Sequence, residues 1–473
     1  MNNTKKIFLV YPPSGIMNRE DRCQQPVEEL IVIPPLPPTD LMYMAAIAQN
    51  LGYECKIKDY SLKNETIEDF KADISEFNPD YLIINTTTPT LENDLAICET
   101  FKQICPNSIT IAKGAHFLSF NTQVLDEFSD LDLIIRGEPE FTLKEILEGK
   151  NYSDIQGLTY RNDKIAVNNP ERPFIENLDE IPYPARHLVD NSIYTRPDNG
   201  KVQAVIKVSR GCPFHCFFCL ATPVSGRKVR MRSVQNILGE IKECVEKYKI
   251  TNFLFWSDIF NIDKKWTQEL CQAIIDSGLK ITWGSNTRAD TADLESAKLM
   301  YKSGFRLVSI GVESGNQQML EHMGKKTTLD QIRNTVKIFK QAKIKIYNYF
   351  VIGLPWETEQ SVEDTIKFAI ELDSDYINFY TATAFPGSRF YEYVKEHNLF
   401  EPTDRNEMYK SAYYYPTVKT HNLSKDRIFE LHKQAVKRFY LRPAYILRML
   451  MGIRSFYEFK NYMLAGLSVL KKK

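Results

Sequence analysis

No run in the chain approaches the ~18–20 consecutive apolar residues of a membrane-spanning helix. The start, M-N-N-T-K-K-I-F-L-V-Y-P-P, enters a strand pattern at once. It has no long apolar region before a cleavage site, so a secretory leader is not expected. There is no G-x-G anywhere and no G-K-[ST]. The dinucleotide fingerprint, the protein-kinase glycine loop and the phosphate loop are therefore all missing, and a phosphate-cradling nucleotide domain is not expected. Cysteine is scarce, with nine in 473 residues. Three of them are clustered, which suggests a reducing compartment and a metal rather than disulfides. The other six (Cys23, Cys55, Cys98, Cys105, Cys244, Cys271) are scattered, as expected of small buried hydrophobes. What is present, 43% hydrophobic and 25% charged residues, is the composition of a soluble globular protein, long enough for two or three domains.

The clustered cysteines lie in S-R-G-C-P-F-H-C-F-F-C-L, where Cys212, Cys216 and Cys219 have C-x3-C-x2-C spacing directly after the alternating apolar run Val202 to Val208. Three thiolates on one short loop at a strand end can hold three corners of an iron–sulfur cube. Such clusters usually take four cysteines, so a three-cysteine loop leaves one iron open. A zinc site of three cysteines and a histidine would need His215. His215 directly precedes Cys216, and adjacent residues rarely both reach one tetrahedral ion. At this point the chain resembles the radical S-adenosylmethionine (SAM) superfamily, whose signature is this spacing. The resemblance implies a [4Fe-4S] cluster on Cys212, Cys216 and Cys219, with the open iron chelated by the amino and carboxyl groups of SAM. An electron from the cluster then cleaves SAM to methionine and a 5′-deoxyadenosyl radical.

From Lys5 to about Leu147, apolar runs (Ile7–Tyr11, Cys55–Ile57, Tyr81–Ile84, Ile109–Ala112, Leu131–Ile135) alternate with helical stretches. One such stretch is Leu41–Asn50, with Thr39 or Asp40 as its cap and Gly52 as its stop. Five such units predict a parallel sheet covered on both faces, with ligands at the carboxyl ends of its strands. This third resembles the cobalamin-binding domain fused ahead of many radical modules. The resemblance rests on Y-P-P at 11–13, the polar Asn85–Thr88 strand end, the Lys113–His116 turn and Arg136–Glu140. It implies that Asn85, Thr86 and Gly114 lie along the corrin or its nucleotide tail. The D-x-H-x-x-G motif that supplies a lower histidine ligand in methionine-synthase-like proteins is absent, and His116 reads better as a turn residue than as a cobalt ligand. The charged and proline-rich segment Met17 to Pro38 is long for a loop inside a domain, and it reads as a lid over the ligand face or a surface strap.

Residues 149–200 read as a linker with a small hairpin (Gly157–Tyr160 and Lys164–Val167) and an extended strap, Ile181–Arg186. From Val202 to about Phe390 six strand–helix units follow, which predicts an incomplete (β/α) barrel with its chemistry at the carboxyl ends of the strands. The resemblance implies roles residue by residue. Asp258, where the usual G-G-E of simpler members is replaced, approaches the amino group of SAM. Glu313 and Ser314 lie near the ribose and methionine carboxyl, Gly353 beside the adenine, and Arg288 pairs with a carboxylate of ligand or protein. No residue is singled out for substrate protons, because tyrosines such as Tyr347, Tyr349, Tyr380 and Tyr391 are abundant everywhere.

From about Asn406 the pattern turns helical and aromatic (Tyr409, Tyr413, Tyr414, Tyr415), and a long helical stretch to Leu450 follows, with Ser424 as its cap. The formal net charge of the chain is zero, yet residues 433–473 carry ten Lys or Arg against Glu458 alone. A basic amphipathic end reads either as a membrane-surface element or as a helical pair capping the barrel. No nucleic-acid recognition motif accompanies it.

The expected fold is α/β: an N-terminal doubly wound parallel sheet of the Rossmann-like cobalamin-binding type, a partial (β/α)6 barrel of the TIM type, and a helical C-terminal tail. The boundaries are 1–148, 149–200, 201–400 and 401–473. The function the resemblance implies is radical SAM methylation of an unactivated carbon in a lipid-like or tetrapyrrole metabolite, with cobalamin as methyl carrier. Its alternatives are an oxidative ring closure of the magnesium-protoporphyrin ester type and a non-catalytic iron–sulfur or cobalamin sensor. The implied partners are a small-molecule or lipid-like substrate and an electron donor such as flavodoxin or ferredoxin. The expected location is the cytoplasm, with the tail offering a peripheral contact to the inner membrane face.

Overall fold

The computed structural model describes residues 4–15, 17–26, 35–62, 65–196, 199–401, 415–453 and 455–471. Five apolar runs of the N-terminal third form strands Glu54–Asp59, Lys6–Tyr11, Tyr81–Asn85, Ile109–Lys113 and Leu133–Ile135, side by side in that order and all parallel. Successive residues of a strand point to opposite faces, and here both faces are apolar. Ile7, Leu9 and Ile83 pack with Leu41 on one side, while Phe8, Val10 and Leu82 pack with Phe70 on the other. This is the doubly wound arrangement expected. Its winding reverses between Lys6–Tyr11 and Tyr81–Asn85, the point where such sheets take ligands. The hairpin expected in the linker is present as Leu158–Asn162 and Ile165–Asn168, and it continues the first sheet as two antiparallel strands.

Neither Thr39 nor Asp40 caps the first helix. Thr39–Asn50 begins after Pro38, with no side-chain cap. Asp40 sits in its first turn, where its carboxylate accepts from the ammonium groups of Lys113 (2.6 Å) and Lys207. Two bonds to ammonium groups displace the single bond a cap would make. Of the expected lid, residues 17–26 form a hairpin of Met17–Glu20 with Cys23–Pro26, and residues 27–34 lie outside the described residues.

The second sheet holds Gln203–Lys207, Asn252–Trp256, Thr282–Arg288, Phe305–Glu313, Lys345–Ile352 and Tyr376–Thr381 in chain order, all parallel. It is the partial (β/α)6 barrel. Ser233, Asp263, Asp293, Thr328 and Thr358 each cap a following helix by accepting a backbone N–H. Each satisfies a donor that the helix itself leaves unpaired. The caps fix where each helix starts, and so set the polar strand-end loops on one rim.

An open parallel sheet leaves an exposed edge strand, and here the tail covers it. The Tyr440 hydroxyl accepts from the Ile377 N–H and donates to the Ile377 carbonyl, and Tyr445 donates to the Asp375 carbonyl (2.8 Å). Ser424 does cap a helix, but the stretch to Leu450 is broken into Lys425–Tyr440 and Pro443–Gly452. Pro443 lacks an N–H and so starts a helix instead of continuing one. A last helix spans Phe456–Lys471. The aromatic start near Asn406, with Tyr409, Tyr413 and Tyr414, lies outside the described residues. Among the described residues no helix is long and apolar enough to cross a membrane.

Candidate active site

The cysteine loop leaves the first barrel strand through Gly211. Its φ is 101°, and a Cβ there would overlap the Lys228 carbonyl, so only glycine fits before Cys212. The loop is held by its backbone: the Cys212 N–H donates to Gly226 O (3.0 Å), the Phe217 N–H to Met323 O (2.9 Å) and the Cys219 N–H to Cys216 O (3.1 Å). Phe217 anchors it between Trp356, Phe390 and Tyr393, at centroid distances of 4.9, 5.6 and 5.7 Å. Cys212, Cys216 and Cys219 are half-buried and unbridged. Burial, then the neighbouring Cys216, pushes the Cys219 thiol up to about 12, and burial, with Asp258 nearby, also raises Cys212. Among the described residues no three ligating side chains converge on one ion, and His215 is exposed. Three thiols on one loop are the donor type that iron–sulfur clusters take. Cys55, Cys98, Cys105, Cys244 and Cys271 are buried; the Cys23 side chain lies outside the described residues.

Three of the residues matched to SAM gather around this loop. Asp258 accepts the Gly211 N–H at 2.7 Å. Arg288 lies over the Phe214 ring (3.6 Å), with Nη1 4.0 Å from Cys216 Sγ, and is itself held by Asp290 and the Lys325 carbonyl. Glu313, in the left-handed region at φ 69°, accepts from Lys325 Nζ at 2.7 Å. The other two are turned elsewhere. The Ser314 hydroxyl is within 3.0 Å of Thr365 Oγ1 and accepts the Asn316 N–H. Gly353 has φ 101° and its Cβ position faces Ile428 Cγ2 at 3.0 Å, so the tail helix occupies the space beside it. Sequence reasoning missed Glu357, which accepts the Gly353 N–H (2.8 Å) and is pushed up to about 7 by burial. Its place in G-L-P-W-E was the available signal.

Across from the barrel rim lie the carboxyl ends of the first sheet. Asn85, Thr86 and Gly114 are brought together there, and a Cβ on Gly114 would meet Thr86 O at 2.6 Å. The 17–26 hairpin covers them. Buried Arg19 donates to Asn85 O (3.0 Å) and pairs with Asp94 (2.6 Å), while Gln24 Oε1 accepts the Thr88 N–H (2.7 Å). The next turn of the hairpin reaches the barrel, where Arg22 pairs with Asp258 (2.9 Å) and lies 4.8 Å from the Trp256 ring centroid. Between the two rims remains a cleft of about 60 Å³, lined by Glu20, Asp40, Lys113, Lys207, Arg210 and Asp258 among others. Burial alone would raise the Asp40 carboxyl; Lys113 and Lys207 reverse this and hold it well below the usual range. Arg210 pairs with Glu138 (3.1 Å) and Glu140 of the first domain. The strand ends have the polar chemistry for a corrin, and the hairpin engages Asn85 and the Thr88 N–H.

Residues 206–369 match the model of the radical SAM superfamily. The chain is 32% identical over 447 residues to an uncharacterized methyltransferase of Pyrococcus horikoshii, covering 94% of both chains. It is 26% identical to the anaerobic magnesium-protoporphyrin IX monomethyl ester cyclase of Rubrivivax gelatinosus, over 87% of this chain and 75% of the cyclase. Its fold is similar to that of OxsB, a cobalamin-dependent SAM radical enzyme solved with aqua-cobalamin and SAM. There the TM-score is 0.74 at 14% identity, over 99% of this chain and 72% of that one. With a relative this similar along nearly its whole length, and with the three-cysteine loop at the mouth of a partial barrel, the chain belongs to the radical SAM superfamily of enzymes.

Proposed function

We propose that the chain is a cobalamin-dependent radical SAM enzyme that methylates an unactivated carbon. The observation that carries this reading is the opposition of two rims. Cys212, Cys216 and Cys219, with Asp258, Arg288 and Glu313, stand on the barrel side, and Asn85, Thr86 and Gly114 stand on the sheet side. The methyltransferase relative and the cobalamin of the structural neighbour support it. When bound, the [4Fe-4S] cluster with SAM supplies a hydrogen-abstracting radical, cobalamin supplies a methyl group, and two equivalents of SAM are used.

The chain's own part is to bind, orient and exclude water. Cys212, Cys216 and Cys219 hold the cluster. Asp258 takes the ammonium of SAM, and Glu313, kept in place by Lys325, faces its ribose and carboxyl. Arg288 holds the cysteine loop through Phe214 and brings positive charge to the anionic thiolates. Asn85, Thr86 and Gly114 line the corrin side. A reductant of the flavodoxin or ferredoxin kind delivers the electron, and the substrate is a small, lipid-like or tetrapyrrole molecule. The cyclase relative favours a second reading, oxidative ring formation at the same site.

The test is anaerobic: reconstitute the cluster, add cobalamin, and read the absorption of the protein retained after desalting. Stoichiometric corrin with cluster is expected. Cluster without corrin overturns methyl transfer and leaves hydrogen-abstraction chemistry alone.

A further inference from the structure

We propose that the last two helices, Pro443–Gly452 and Phe456–Lys471, form a surface that docks on an anionic lipid bilayer. Apart from Ile165, every exposed large hydrophobic among the described residues lies between Leu441 and Leu470. Of the seven within Phe456–Lys471, five fall at helical spacing: Phe456, Phe459, Met463, Leu467 and Leu470 are 81, 41, 49, 45 and 59% exposed, and Tyr457 and Leu464 are the other two. Steps of three and four put them on one face, and that face looks outward. The inward side is already satisfied, with Val469 buried and the Tyr462 hydroxyl 3.0 Å from that of Tyr376. The amphipathicity is therefore inverted: the apolar stripe of a helix that packs well inward is left in water.

Charge selects the occupant. Residues 433–473 hold ten Lys or Arg and one acid; of the ten, Arg438, Arg442 and Arg448 pair with Glu363 and Asp373 of the barrel. Lys460 is exposed on the same helix, four residues from Phe456. A second copy meeting this face symmetrically would set two net-positive segments against each other. An anionic bilayer accepts both the apolar stripe and the cations. Among the described residues no helix is long and apolar enough to span, so the pair would lie in the interface plane. Because Tyr440 and Tyr445 fasten the tail to the edge strand Tyr376–Thr381, docking would hold the barrel against the bilayer.

The full chain is sedimented with vesicles of phosphatidylcholine alone and of phosphatidylcholine with phosphatidylglycerol, at low and high salt. Binding to the anionic vesicles is expected to exceed binding to the neutral ones about tenfold at low salt, and to fall with salt. Phe459→Ser with Leu467→Ser, two exposed positions, is expected to abolish it without lowering the melting temperature. Failure of the wild-type chain to sediment with anionic vesicles overturns the proposal. So does a dimer without lipid that the double variant dissociates, which would assign the face to a second copy.

Discussion

Arg22 and Asp258 form an ion pair of 2.9 Å that joins the hairpin of the first domain to the second strand end of the barrel, with their side chains 19% and 5% exposed. Asp258 is the carboxylate proposed to take the ammonium of SAM. The chain's own guanidinium therefore occupies the position in which that ammonium would be neutralised, 4.8 Å from Trp256. Where a ligand must displace an internal partner, apparent affinity falls by the fraction of competent protein. Arg22→Ala is expected to tighten SAM binding by about tenfold, measured by equilibrium dialysis and by a change in tryptophan emission. Unchanged affinity would mean that the pair does not compete with SAM.

Cys212→Ala is expected to abolish cluster binding, read as iron content and visible absorption, together with all deoxyadenosine formation. The first domain should stay folded, because Cys212 belongs to neither of that domain's cores. Deoxyadenosine formed by this variant would rule out the three-cysteine mechanism.

Glu357 bears on stability against pH. Burial raises its carboxyl from 4.5 to about 7, so between those values the folded state holds a proton that the unfolded state releases. Stability must then fall as pH rises through that window, by about 3 kcal/mol in all. Glu357→Gln keeps an acceptor for the Gly353 N–H and removes the titration. Asp59, raised to about 6 by burial, acts in the same direction, so the measurement is the difference between the two proteins. Apo-protein melting temperatures at pH 5 and at pH 8 should converge more closely in the variant than in the wild type. An identical decline in both would contradict the assignment.

Arg19 and Asp94 have fully buried side chains 2.6 Å apart. Removing one charge leaves the other without a counter-ion in a dry interior, at a cost of about 3–5 kcal/mol. Arg19→Met is expected to lower the unfolding free energy of the first domain by that amount. Arg19→Met with Asp94→Leu should recover most of it, since an apolar pair of similar volume is often neutral. No recovery would mean that the partners Asn85, Thr90 and Ser14 matter more than the charge.

The sequence by itself determined what depends on neighbours in the chain. The cysteine spacing, the strand runs of the first sheet, the six strand–helix units, the Leu158–Asn168 hairpin and the Ser424 cap are all local patterns, set by period and by residue type at fixed offsets. The inverted stripe at Phe456–Leu470 is local too; which side of it faces solvent is not. The tertiary structure alone decided which of many possible partners each charge takes. Asp40 leaves its helix end for Lys113 and Lys207, Arg210 turns to Glu138 and Glu140, and Arg22 crosses to Asp258. It also set Ile428 of the tail against Gly353, and brought the hydroxyls of Tyr440 and Tyr445 onto the barrel's open edge. Sixty cations and sixty anions allow very many pairings of similar energy, and only the packing of the two sheets selects among them.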